Sequence, residues 1–575
     1  MVRASPGANS PHPPNGSGRL LRWPTVRIPV ALFLLALAVR AVVFGTFPDP
    51  AYPDSYYYVD VARSIASAHG LTVPFVWIFA EVGNHIPNPA TLPVASNAHW
   101  LPLASFLQVP FISLFGPTPL ASAIPAIVIG SLSAPLTWLI ARDAGARPMV
   151  ALAAGVLSAV PGAITVFMAQ PENFGILQPL VAATLWLTAR GLKGDGWSFA
   201  IAGLLAGLAS LARNDGVLLA GAVGLIWLGD RLRWLRNRRG RASWSHVGDR
   251  RPIPLIAAVL SGAGFLAIMG PWWARQLETF GSISPTSSNG SALWIRTIDE
   301  WNSITANPTL QTFLAQGAGA IVASRIAGLV SALGNFVVFI TSIVLLPFLL
   351  IGALARRSSP DFAPWFLYTF VAFAGATFLY PLHVPGGAFI HTAVGLAPHA
   401  AILSVEGILL VVSWISGRRR RWEESTAGGV LVWGIVAIVA VSSFALGRGV
   451  EAGWDAARQP RIQLAAELDS LNVPATDRLF SIDASGLTYW TGRPGVVTTN
   501  DSIDVEQQIA QAYGLRWLVL ERDDVASSMV GVLQGQRPSW IGAPVFTVPA
   551  SDGGPPELAL YPVCTTSGDA RCSSG

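Results

Sequence analysis

The sequence predicts a polytopic α-helical membrane protein. It would have about eleven transmembrane helices, juxtamembrane helices in the first outer loop, and a small C-terminal extracytoplasmic α/β domain. Three observations carry this expectation. Of 575 residues, 52% are hydrophobic and 12% are charged, whereas soluble domains carry roughly 25% charged residues. Apolar runs of about 18 residues or more recur along the chain, long enough to cross a hydrocarbon core. From about Trp454 the composition returns to that of ordinary soluble protein.

The elements follow in order. Residues 1–27 are rich in Pro, Ser, Gly and Asn and are expected to be a disordered cytoplasmic segment. The run IPVALFLLALAVRAVVFG lacks a clear small-x-small cleavage site and is followed by many further spans, so it reads as a retained first helix. Spans are then expected at 28–46, 121–141, 149–168, 174–190, 199–212, 215–229, 252–271, 327–353, 363–381, 393–415 and 428–446. Residues 28–450 form the membrane domain and 455–575 the soluble one. Within the latter, DRLFSI and LRWLVLE read as strands around a helical DVEQQIAQAYG, and PVFTVP and ELALYPV offer two more strands. Cys564 and Cys572 pair if that end lies outside the cytoplasm, or remain free thiols.

Charge placement sets the topology. The net charge is +5, and Lys193 is the single lysine among 37 basic residues. The clusters Arg231–Arg241, Ala355–Arg357 and Gly417–Trp422 abut hydrophobic spans, which favours cytoplasmic anchoring over nucleic-acid binding. The N-terminus then lies inside and the C-terminal domain outside. That threading requires His99–Gly116, with its two prolines, to stay on the outer side as a juxtamembrane helix. With this topology Asp49, Asp54, Glu172, Arg213, Asp215, Arg275, His383, His391 and His399 gather at one face of the membrane, with Arg40 in the outer part of the first span.

Two outer carboxylates, several arginines and an apolar body suit transfer of a group from a lipid-phosphate donor. A carboxylate takes the proton of an attacking hydroxyl, and arginines hold the leaving phosphate. Each residue also has a plainer role. Asp54 would cap the helix that follows it, Asp49 would hold a turn, and Arg40 would reach for the interface. Glu172 would cap the fourth span and Arg213 would anchor its turn. The three histidines could ligate a metal, but scattered histidines usually do not, so no cofactor is called for.

The order of these motifs resembles the GT-C superfamily of polyprenyl-phosphate-sugar-dependent glycosyltransferases, in the branch similar to protein mannosyltransferases and the aminoarabinose transferase. PDSYYYVDVARSIASAHG resembles that family's acidic first-loop motif and puts Asp54 at its catalytic aspartate, with Ser55 for the frequent second acid. HWLPLASFLQVPFISLFG resembles its juxtamembrane helix, with Leu101 for a proline. GLLAGLASLARNDG and PWWARQLETFGSISP resemble two further motifs and place Arg213 and Arg275, with Gln276 for an asparagine. The resemblance implies a hexosyl- or pentosyltransferase of a bacterial inner membrane. It would move sugar with inversion from a polyprenyl-phosphate donor to a glycan, lipid or protein acceptor. Asp54 would be the base, with Asp49 and Glu172 as further catalytic candidates. Arg275, Arg213, Arg40, His99, Tyr57, His383 and His391 would line the substrate site. The rival is a transporter or lipid-linked-sugar flippase, which the expected lack of a mid-span acid speaks against.

Overall fold

The computed structural model describes residues 23–78, 85–239, 251–285, 293–379, 388–419, 423–565 and 571–572. The structure is a bundle of apolar helices joined to a six-stranded mixed sheet. The segment 1–22, most of the expected disordered terminus, lies outside the described residues. So do the ends of the first and third basic clusters with the residues that follow the first, 240–250 and 420–422.

Among the described residues six helices are long and apolar enough to cross a membrane, seven if the bent pair Pro148–Ala159 and Gly162–Ala169 is one span. The count by length falls short of eleven because several expected spans are short or interrupted. The 149–168 run turns by 58° where Pro161 and Gly162 intervene. Proline disfavours the helical conformation in the residue before it; here Val160 leaves it, at φ -129 and ψ 71, and Gly162 takes φ +88. The 327–353 run is also broken: Ala318–Asn335 passes through a π-turn, Phe336–Ile340, and helix resumes at Leu346. The two breaks meet. A Cβ on Gly162 would fall 2.1 Å from the Ser342 hydroxyl, and Gly162 N donates to Ser443 Oγ of a third helix.

The last span departs most from expectation. Instead of ending near 446, a single helix runs from Glu424 to Ser470, 47 residues or about 70 Å, and carries the chain from the bundle to the sheet. The segment 99–116 forms a helix, Leu103–Phe115, packed on Pro53–Ala66 and Pro119–Ser131. An acid does lie inside a span. Glu406 sits midway along Ala397–Ser416, where Arg356 clasps its carboxylate with two hydrogen bonds. The expected lack of a mid-span acid is therefore incorrect; the run SVEGILL is apolar enough to hide one glutamate. Its pairing partner makes that burial tolerable.

The sheet has the order β2-β5-β4-β6-β8-β7. Its strands β4 (Leu479–Ser481), β5 (Gly495–Val497), β6 (Trp517–Glu521), β7 (Phe546–Val548) and β8 (Leu558–Pro562) come from the C-terminal region. Four of these coincide with the strands read from sequence, and Ile503–Tyr513 is the helix read between them. The edge strand β2 (Phe75–Val76) comes from the first outer loop and pairs in parallel with β5. In the same loop β1 (Thr72–Val73) pairs antiparallel with β3 (Val94–Ala95). Cys564 and Cys572 form a disulfide just after β8.

Candidate active site

The helix Pro53–Ala66 begins after a Pro-containing turn, and its cap is not Asp54. Tyr52 is the N-cap, and the Ser55 hydroxyl accepts from Ala51 N (3.0 Å) and Tyr52 N (3.1 Å) while donating to Tyr52 O (2.7 Å). Ser55 thus takes the capping role expected of Asp54, because a hydroxyl at this position reaches back to the orphan amides. Asp54 is left one residue inside the helix with its carboxylate free to face the bundle. One oxygen, Oδ1, accepts from Trp100 Nε1 at 2.8 Å.

The other oxygen, Oδ2, lies 4.0 Å from His391 Nε2, and His391 Nδ1 lies 3.9 Å from Glu172 Oε2. Glu172 is fully buried, His391 nearly so, and Asp54 keeps 28% of its side-chain exposure. Glu172 Oε1 caps the next helix by accepting from Phe174 N at 3.1 Å, and the Phe174 ring stacks on His391 at 3.8 Å. Burial, with the Asp54 charge second, pushes the Glu172 carboxyl up to about 8. Burial, then the Arg213 charge, holds the His391 imidazole well below its ordinary value. Among the described residues, Glu172 Oε2 and His391 Nδ1 have no hydrogen-bond partner. The three side chains each offer a ligand atom within 4.8 Å of one another, so they could hold a divalent cation.

Around this cluster the remaining candidates divide. Arg213 ends the helix Gly196–Ala212 and pairs with Asp215 at 3.1 Å, within electrostatic reach of Asp54, Glu172 and Tyr58. Asp215 is held in turn by the Thr392 hydroxyl. His99 lies edge-on to Trp100 (4.9 Å) and Trp301 (5.5 Å). Tyr57 stacks on Trp100 at 4.3 Å, and its hydroxyl accepts from Asn97 N at 2.7 Å. Arg275 sits over Trp272 and Phe280 and donates to Gln276, within reach of Tyr57. Two residues sit elsewhere. Asp49 pairs with Arg458 of the long helix at 2.8 Å, a tie between turn and helix. Arg40 is buried in the first helix, beside Gly130, with one hydrogen bond to Ala36 O. His383 lies outside the described residues, and His399 is buried within Ala397–Ser416, edge-on to Phe362.

Comparison with known proteins bears on what this geometry belongs to. Residues 98–245, which include Trp100, Glu172 and Arg213, match the family of dolichyl-phosphate-mannose-protein mannosyltransferases. A comparison with curated proteins finds no match. Among solved structures, ArnT from Cupriavidus metallidurans bound to undecaprenyl phosphate is 14% identical with a TM-score of 0.51, covering 94% of this chain and 98% of that one. ArnT from the same organism in the apo state is 13% identical with a TM-score of 0.52, covering 93% and 98%. This is the GT-C glycosyltransferase fold. The expected class, a membrane glycosyltransferase, is met by the family match and the fold together.

Within the GT-C fold, sequence reasoning missed several residues that frame Asp54. Trp100 follows His99 in HWLPL, but an indole at an interface is ordinarily an anchor, so residue type alone signals no other role. Asn173, whose amide donates to Tyr58 OH, and Asn97, which ties Tyr57 to Trp100 O (2.9 Å), carry no signal in one sequence beyond lying beside a named residue.

Proposed function

We propose that the protein transfers a sugar from a polyprenyl-phosphate donor to an acceptor hydroxyl on the extracytoplasmic side of a bacterial inner membrane. Asp54 acts as the general base and the anomeric centre inverts. The reading assigns the apolar helices, including the short and broken ones, to about eleven crossings, and places the N-terminus inside and the sheet outside.

The observation that carries the proposal is the Asp54 carboxylate itself. One oxygen is held by an indole N–H and the other faces a buried pocket of Glu172 and His391. A base must be fixed in direction yet keep a free lone pair. The acceptor oxygen attacks C1 of the donor sugar, and the bond from C1 to the phosphate oxygen breaks on the opposite face. Asp54 takes the acceptor proton and later releases it to solvent. The leaving phosphate carries away the bonding pair, and Arg213, within electrostatic reach of Asp54, and Arg275, within reach of Tyr57, are the candidates to offset that charge. The ligand of one structural neighbour, undecaprenyl phosphate, fits this class of donor.

The test is transfer of labelled sugar from a panel of polyprenyl-phosphate monosaccharides by the purified protein in lipid, with Asp54→Asn beside wild type. Loss of about 10²- to 10⁴-fold in kcat, with donor binding kept, supports Asp54 as base. Comparable turnover by the variant overturns that role. A second reading, in which a cation bound by Asp54, Glu172 and His391 assists, is favoured by the two unpartnered atoms of that cluster. Loss of turnover in chelator with recovery on Mn²⁺ would favour it. Movement of intact lipid-linked sugar across vesicles without donor consumption would instead point to a flippase.

A further inference from the structure

The Asp54 carboxylate owes its direction to Trp100, and the place of Trp100 traces back to the C-terminal sheet. An indole has one N–H, fixed in the ring plane, so whatever fixes the ring fixes the donor. One face of the Trp100 ring is covered by Tyr57, from the same helix as Asp54, at 4.3 Å. Its edges meet Trp77 at 5.3 Å and His99 at 4.9 Å.

Both of those neighbours are tied to the sheet. Trp77 directly follows β2, the strand of the first outer loop that pairs with β5. His99 packs on Trp301 at 5.5 Å, and the residues just after Trp301 are clasped by the turn following β5. There Asn500 N donates to Asn302 O at 2.7 Å. The buried Asp501 carboxylate accepts from Ile304 N (2.8 Å), Thr305 N (3.2 Å) and the Ser303 and Thr305 hydroxyls. A third tie holds the Asp54 helix directly. Trp490 Nε1 donates to Tyr56 OH at 3.1 Å, and Arg63 lies over the Tyr489 ring at 4.4 Å.

Resting on the assignment of Asp54 as base, we propose that the C-terminal sheet is part of the catalytic apparatus, with Trp100 and Asp501 as positioning residues that aim the Asp54 carboxylate. Neither touches the reacting atoms in this scheme. Trp100 acts through one hydrogen bond to the carboxylate, and Asp501 acts through the 302–305 loop on the aromatic ring stack. A base held within a fraction of an ångström of its working position keeps most of its rate advantage, and a looser one loses it.

The experiment uses the full chain in lipid nanodiscs, tritiated undecaprenyl- and decaprenyl-phosphate monosaccharides as donor probes, and a cell-envelope extract as acceptor. Trp100→Phe keeps an aromatic ring and removes the N–H. Asp501→Asn weakens the remote clamp. Asp552→Asn, which cuts an exposed ion pair with Arg522 elsewhere in the same region, is the control. The expected result is a kcat lower by roughly ten- to a hundred-fold in Trp100→Phe, with donor KM within about threefold of wild type. Asp501→Asn lowers kcat alone by a smaller factor, and Asp552→Asn changes neither constant.

The double variant Trp100→Phe/Asp501→Asn should be no slower than Trp100→Phe, because both act through one contact. Multiplied losses in the double variant, or wild-type kcat in both single variants while Asp54→Asn is dead, overturn the proposal. If Trp100→Phe does not fold, Asp501→Asn decides alone, and an unchanged kcat overturns it. Full activity in Asp54→Asn instead removes the assignment of the base on which the proposal rests.

Discussion

At the scale of single residues, Asp54 and Ser55 show how a helix start divides its labour. Ser55 satisfies the amides at the beginning of Pro53–Ala66, which frees its neighbour from the usual duty of an early aspartate. Ser55→Ala should therefore cost about 0.5–2 kcal/mol of stability, as other lost caps do, and lower activity only as far as the helix start loosens. Equilibrium unfolding beside a transfer assay checks this; a Ser55→Ala protein as stable as wild type would return the cap to Asp54. Asp54 itself was legible as a candidate because a carboxylate beside a membrane exit is unusual enough to notice. Its indole partner was not, since forty-five residues separate the two and nothing in one sequence pairs them. Asp49 stood as a further catalytic candidate for the same reason: the Arg458 that takes it lies some four hundred residues away.

At the scale of elements, apolar content was readable and continuity was not. The runs that became Phe174–Leu192 and Gly196–Ala212 were placed within a few residues, because both are uniformly apolar between polar turns. The break at Pro161 and Gly162 comes from residue type rather than apolar period, and the one near Ser342 depends on how two helices meet, so periodicity carries neither. The strands β4, β6, β7 and β8 were equally plain, but β5 and β2 were hidden. Two residues of a loop become an edge strand only when β5 is there to pair with them.

The helix Ile503–Tyr513 also carries a buried acid whose chemistry reports on the sheet. Glu506 Oε1 accepts from Thr499 N (2.9 Å), Thr499 Oγ1 (2.7 Å) and Ser528 Oγ (3.2 Å). Burial, with Asp501 nearby adding to it, raises its carboxyl from 4.5 to about 8. A folded-state value above the unfolded one means that the stabilisation is complete below about pH 4.5 and is lost as pH rises through about 8. The region should therefore resist opening better at pH 6 than at pH 9, and Glu506→Gln should flatten that difference. Hydrogen exchange of residues 499–530 at the two pH values measures it. Equal pH slopes in wild type and variant would show that Glu506 is ionised in the fold.

At the scale of the whole molecule, two clusters of charge mark two ends of the bundle. At one, Lys193 meets Asp143 (2.9 Å) and Asp361 (2.8 Å), joining three loops expected on the cytoplasmic side. These side chains are about one-third exposed or less, so their worth is small and their value lies in showing which loops are neighbours. At the other end stand Asp54, Glu172, His391 and Arg213. The helix Phe174–Leu192 starts beside Glu172 and ends at Lys193. Its 19 residues span about 28 Å, close to the roughly 30 Å of a hydrocarbon core. One bilayer thickness thus separates the two clusters, and a membrane fitted to the bundle must leave them on opposite sides. The sheet lies with the Asp54 cluster, since β2, Asp501 and Trp490 all reach the loops and helix around it. Which side is which can be read by labelling. Cysteine placed at the exposed Ser551, beyond β7, should react with a membrane-impermeant maleimide on right-side-out vesicles. Cysteine placed at Arg147, in the loop that follows Asp143, should react only after the vesicles are opened. The opposite pattern would put the Asp54 cluster in the cytoplasm, where the acceptor would have to be an intracellular molecule.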